Sequence, residues 1–106
     1  MHDPTDTALL DANALAADEA AEARRQLEIG DFKWIVSNKR GRRYVYRLLE
    51  LAGVFRTSFT PDPCTTAFNE GRRAYGVQVL ADLVEHAPES YSLMLSEHHA
   101  RSDRTS

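Results

Sequence analysis

Cysteine is nearly absent from the 106-residue chain, which holds Cys64 alone, one tryptophan, four prolines and five glycines. A single cysteine excludes an intramolecular disulfide. No sequence signature supplies the base and orienting group that would make Cys64 a nucleophile, so a free thiol in the loop around Pro61, Asp62 and Pro63 is expected. No apolar run approaches the ~20 residues needed to cross a bilayer, and no membrane partner is expected. Asp3, Asp6 and Asp11 stand where a secretory leader would be basic. A phosphate-binding loop is missing too: KRGRR, residues 39–43, has neither the preceding strand nor the lysine–hydroxyl pair of a Walker motif. His98 and His99 are adjacent, so on a helix they diverge by about 100° and cannot form the i, i+4 pair of a zinc site. Glu85, Glu89 and Glu97 read as solvated carboxylates on amphipathic exteriors. The expectation is a non-enzymatic protein with no cofactor and no metal.

What is present is an ordinary globular composition. At 42% hydrophobic and 27% charged, the chain lies away from the regime of disordered sequences, and its length suits one core. The net charge of -3 hides a segregation along the chain. Residues 1–30 carry Asp3, Asp6, Asp11, Asp18, Glu19, Glu22 and Glu28 against Arg24 and Arg25. Residues 31–60 carry Lys33, Lys39, Arg40, Arg42, Arg43, Arg47 and Arg56 against Asp31 and Glu50. An acidic arm therefore precedes a basic centre.

Periodicity and punctuation predict an all-α fold of four or five helices in a single small domain. An acidic, alanine-rich helix runs from about Thr7 to Leu27, with Gly30 as its stop and a narrow stripe of Leu9, Ala16, Ala20, Ala23 and Leu27. Asp31 is expected to cap a short turn through Val36, and Ser37 or Asn38 to cap a helix from Lys39 to Ala52 that ends at Gly53. On that helix Tyr44, Val45, Leu48, Leu49, Leu51 and Ala52 share one half, while Lys39, Arg42, Arg43, Tyr46, Arg47 and Glu50 share the other. A third helix is expected from Ala67 to about His86, capped by Thr65 or Thr66, with Phe68, Tyr75, Gly76, Val77, Val79, Leu80, Leu83 and Val84 on its core arc. Gly76 within that arc predicts the close approach of a neighbouring backbone. A short last helix runs from Pro88 to about Glu97. The division expected is an acidic arm at 1–30, a helical core at 31–97 and a flexible tail at 98–106.

The run DFKWIVSNKRGRRYVYRLLELAGVFRTSF, residues 31–59, and the block FNEGRRAYGVQVLADLVEHAPESYSLML, residues 68–95, resemble a family of small proteins encoded by tailed bacteriophages, of the type found in a short-tailed Bordetella phage. DFKW, KRGRR, LLELAGVF, FNEGRR and ADLVEHAPE together carry the resemblance. It implies a phage origin and a gene near head and tail structural genes, hence a place in the virion or the bacterial host cytoplasm. The arm and the tail lie outside it.

Two groups of residues are candidates for binding. Lys39, Arg40, Arg42, Arg43, Tyr46 and Arg47 lie within about two and a half helical turns, where arginine grips carboxylates or phosphates through paired hydrogen bonds. A solvated or internally paired face, an acidic protein surface as partner, and nucleic-acid phosphate as partner all remain open at this point. Arg72 and Arg73 interrupt an apolar arc: either one pairs with Asp31, Glu50 or Glu70 while the other snorkels, or both anchor a protein interface. Phe32 and Trp34 are expected in the core, with an exposed aromatic interface as the alternative. The function expected is a phage structural or assembly protein that binds another virion protein. A DNA-contacting or host-regulatory protein and an accessory subunit of DNA packaging are the alternatives, and self-association is open.

Overall fold

A computed structural model describes the backbone of residues 4–105 and the side chains of residues 6–104, so Asp3 and Ser106 lie outside the described residues. Four helices account for almost all of it: α1 (Pro4–Ile35), α2 (Lys39–Ala52), α3 (Pro63–His86) and α4 (Pro88–Thr105). No strand occurs among the described residues, and the fold is all-α.

Tertiary contacts divide the chain into two units, Met1–Asp31 and Phe32–Ser106. In the first, every side chain from Asp6 to Glu28 is exposed. Alanine-rich composition and i, i+4 pairs such as Gln26 Nε2 donating to Glu22 Oε1 at 2.9 Å support its helix.

Gly30 does not stop α1, contrary to the sequence expectation. A single helical glycine costs about 1 kcal/mol relative to alanine, too little to end a helix flanked by good formers. The turn at 32–36 is therefore the last of α1 rather than a separate element, and Asp31 caps nothing. The end of α1 is sealed by side chains instead: Ser37 Oγ donates to the Trp34 carbonyl and Asn38 Nδ2 to the Ile35 carbonyl at 3.3 Å. Asn38 serves both neighbours, because its Oδ1 accepts the amide of Gly41, the third residue of α2, at 2.8 Å.

In the second unit α2 packs on α3 and α4, and α3 packs on α4. The core is small: Leu49, Leu83, Met94 and Val36 are fully buried, with Val45, Tyr46 and Val54 close behind. Each such aliphatic chain contributes about 1.5–3 kcal/mol by leaving water. Gly53 ends α2 in the left-handed region at φ 79°, where a side chain is strained, and its amide returns to the carbonyls of Leu49 and Glu50.

The start of α3 is four residues earlier than expected. Asp62 is the N-cap rather than Thr65 or Thr66, and its carboxylate accepts the amides of Cys64 and Thr65 at 3.3 and 3.2 Å with Pro63 at the first helical position. Its arc is also narrower than the sequence suggests. Leu83 and Gly76 are buried and Val79 and Leu80 half-buried, but Phe68, Tyr75, Val77 and Val84 are exposed. Gly76 is closely approached, but by side chains rather than by the backbone expected: a Cβ there would lie 2.5 Å from Ala52 Cβ and 2.6 Å from Val54 Cγ2, with the nearest neighbouring backbone atom, Ala52 Cα, at 3.9 Å. Residues 98–105, expected as a flexible tail, continue α4, since nothing after Pro88 breaks the helix.

Candidate functional site

The basic segment of α2 divides into two groups that helical geometry separates. Arg40, Arg43 and Arg47 recur at i, i+3 and i+7, so they leave the helix on one side, and all three are exposed. With Arg101 and His98 from α4 they line an open cleft of about 590 Å³, completed by Tyr44, Tyr46, Glu50 and Ser102. Lys39 is exposed but does not line the cleft.

Arg42 belongs to the other group, and its assignment to an exposed basic face is corrected. It shares the i, i+3, i+7 stripe of Val45 and Leu49, which is the core face of α2, and it is buried. Its Nε donates to Glu97 Oε1 and Oε2 at 3.0 and 3.2 Å, its Nη2 to Oε1 at 2.7 Å, and its Nη1 to the Val36 carbonyl at 3.1 Å. Glu97 is therefore an ion-pair partner with a largely covered side chain, not a solvated carboxylate. Charge-assisted forks of this kind hold a guanidinium in one orientation.

Tyr46 is likewise buried rather than exposed, for the same reason of register. Its ring stacks on Phe55 at 5.5 Å and on His98 at 4.1 Å between centroids. Burial, with Glu50 and Tyr91 adding to it and Arg101 opposing, raises the phenol above its ordinary pKa. Tyr46 forms the cleft floor, and Tyr44, whose ring carries the Arg47 guanidinium at 5.0 Å, forms its rim.

Tyr44 also opens the second feature of α2. Three residues of the apolar half of this helix, Tyr44, Leu48 and Leu51, are 51%, 42% and 59% exposed. They line an apolar groove of about 430 Å³ with Phe32, Ile35, Tyr75 and Val79. Thus α2 carries two apolar stripes: Val45 and Leu49 face inward, and Tyr44, Leu48 and Leu51 wall a groove open to solvent. Phe32 packs against the core as expected, whereas Trp34 is 73% exposed, since positions two apart on a helix diverge by about 200°.

Arg72 and Arg73 are corrected on one point: neither pairs with Asp31, Glu50 or Glu70, and no carboxylate lies within ion-pair distance of either among the described residues. Arg72 is exposed at the lip of the groove, its guanidinium 5.4 Å over the Phe68 ring, and its Nη2 donates to Asn69 Oδ1 at 3.4 Å. Arg73 is half-buried. Three residues of the cleft, His98, Arg101 and Ser102, were not expected there because the sequence pattern ends the last helix at Glu97. No group of three or more His, Cys, Asp or Glu side chains suited to a metal occurs among the described residues. No described helix is long and apolar enough to cross a membrane.

Residues 32–96 match the family profile of Bbp19-like phage proteins. The chain belongs to this family. No curated protein and no solved structure matches it. The Bbp19-like region contains the apolar groove and the cleft arginines of α2, while Glu97, His98 and Arg101 follow its last matched residue. The match begins at the first residue of the Phe32–Ser106 unit and ends within α4.

Proposed function

We propose that this Bbp19-like phage protein is a non-enzymatic structural or assembly component that binds an acidic surface of another virion protein through α2. The observation that carries this reading is the juxtaposition on α2 of the arginine cleft and the apolar groove, joined at Tyr44. Arginine beside tyrosine is the composition enriched at protein interfaces, where aromatic and guanidinium groups act as anchors, and the exposed leucines add apolar area to cover. A partner that offers carboxylates to Arg40, Arg43 and Arg47 and an apolar ridge to Leu48, Leu51 and Tyr75 satisfies both halves. Such a protein acts in the virion or in the cytoplasm of the infected bacterium.

The same guanidiniums suit phosphate, so a DNA-contacting or packaging role is the second reading. The groove favours the first, because a nucleic-acid backbone leaves Leu48, Leu51 and Tyr75 uncovered. Mass spectrometry of purified infectious particles, with infected-cell lysate as the control for expression, tests the proposal. Stoichiometric presence in particles supports it, and the copy number constrains the symmetry of the position occupied. Abundance in lysate with absence from particles removes the virion role and leaves transient assembly or DNA-linked work.

A further inference from the structure

A second basic site, with no residue in common with the α2–α4 cleft, lies where the end of α2, the following loop and α3 meet. Gly53 turns the chain out of α2, the Arg56 amide donates back to the Gly53 carbonyl at 3.3 Å, and Asn69 Nδ2 of α3 donates to the Ser58 carbonyl at 3.4 Å. These bonds close a small pocket of about 170 Å³ whose side-chain lining is almost wholly polar: Arg56, Thr57, Ser58, Asn69, Arg72 and Arg73.

Three arginines therefore line a pocket that no carboxylate lines, and none of the three has an ion-pair partner among the described residues. Mutual repulsion opposes this arrangement. The Nε of Arg73 is buried and has no hydrogen-bond acceptor among the described residues. A buried donor without an acceptor is a standing cost to the fold. One ligand class answers the uncompensated charge: an oxyanion neutralises the cluster, and guanidinium forks match its geometry.

We infer that the Arg56, Arg72 and Arg73 pocket binds a phosphate-class oxyanion. The charge of three cations suits a dianion better than a single carboxylate. The hydroxyls of Thr57 and Ser58 and the amide of Asn69 supply polar groups in place of apolar walls. The ligand is either free inorganic phosphate or a phosphate of a nucleic-acid backbone, and the pocket recognises the chemistry they share.

Inorganic phosphate is titrated into the full chain by calorimetry, with chloride matching the ionic strength. The expected result is saturable binding, at least about tenfold weaker in Arg56→Gln and in Arg73→Gln and unchanged in Lys33→Gln, an exposed cation that lines neither basic site. Arg56 is exposed, so its variant keeps the test valid if Arg73→Gln loses helicity by circular dichroism. A titration indistinguishable from chloride, or phosphate binding that survives both substitutions, overturns the inference. A labelled DNA duplex identifies the source: binding that inorganic phosphate displaces and Arg56→Gln weakens assigns the backbone, and phosphate binding without duplex binding assigns the free anion.

Discussion

Arg42 and Glu97, 55 positions apart in sequence, meet in a fork whose shortest arm is 2.7 Å, and the remaining terminal nitrogen of Arg42 holds the Val36 carbonyl. One guanidinium thereby ties the segment after α1, α2 and α4 together. It also places α4 so that His98 lies on Tyr46 and Arg101 faces the arginines of α2. The cleft owes its shape to an ion pair that takes no part in its lining.

Removal of that pair is expected to be severe. Arg42→Ala leaves the Glu97 carboxylate and the Val36 carbonyl without their partner and lowers stability by about 3 kcal/mol. Arg42→Lys keeps the charge but loses the fork, so it falls between alanine and wild type. Denaturant unfolding monitored by circular dichroism reads both, and a loss below about 0.5 kcal/mol for alanine contradicts the role assigned to the pair.

Two glycines should respond to alanine in opposite directions. Gly71 has nothing within 4 Å of an added Cβ, so Gly71→Ala gains up to about 1 kcal/mol of helix propensity. At Gly41 the same Cβ would sit 1.6 Å from the Ile35 carbonyl oxygen, so Gly41→Ala forces the end of α1 away from α2 and destabilises by at least about 1–3 kcal/mol. Thermal melts of the two variants separate in sign.

Tyr46 makes stability fall at alkaline pH. Its phenol is raised in the folded state, chiefly by burial, so the contribution is complete below the unfolded pKa and is lost as pH rises through the folded value. Tyr46→Phe removes this dependence while it keeps the ring stack with Phe55 and His98. Urea midpoints measured from neutral to alkaline pH should therefore fall more steeply in wild type than in Tyr46→Phe.

Asp62 acts at the other end of the pH scale. Hydrogen bonds from the Thr65 hydroxyl and from the Thr65 and Cys64 amides hold its carboxyl below the ordinary aspartate value. Its contribution is present above the unfolded pKa and is lost as pH falls through the lower folded one. Asp62→Ala should show a reduced melting temperature at neutral pH and a flatter acid limb than wild type. Equal acid limbs would contradict the cap.

Legibility in the sequence followed how local each interaction is. The helix over Lys39–Ala52 was readable to the residue, because a cap at Asn38 and a glycine at 53 act within a few positions. The close approach at Gly76 was signalled by a glycine in a helical apolar arc. The start of α3 was missed because Asp62, Thr65 and Thr66 all have capping side chains, and the choice depends on Pro63, whose fixed φ suits the first helical turn. Arg42 and Tyr46 were placed outside because their residue types are polar, although their spacing to Val45 and Leu49 marks the inner stripe.

By itself, then, the sequence determined the all-α class, the boundaries of α2, the acidic arm and the phage family, since periodicity, caps and motifs are properties of neighbouring residues. Tertiary structure alone decided which arginines are available. Arg42 is consumed by Glu97, Arg40, Arg43 and Arg47 meet Arg101 across a cleft, and Arg56 lines a pocket with Arg72 and Arg73. A guanidinium is the same group at every one of these positions, and only the side chains that other helices bring to it determine whether it is a structural tie or a binding group.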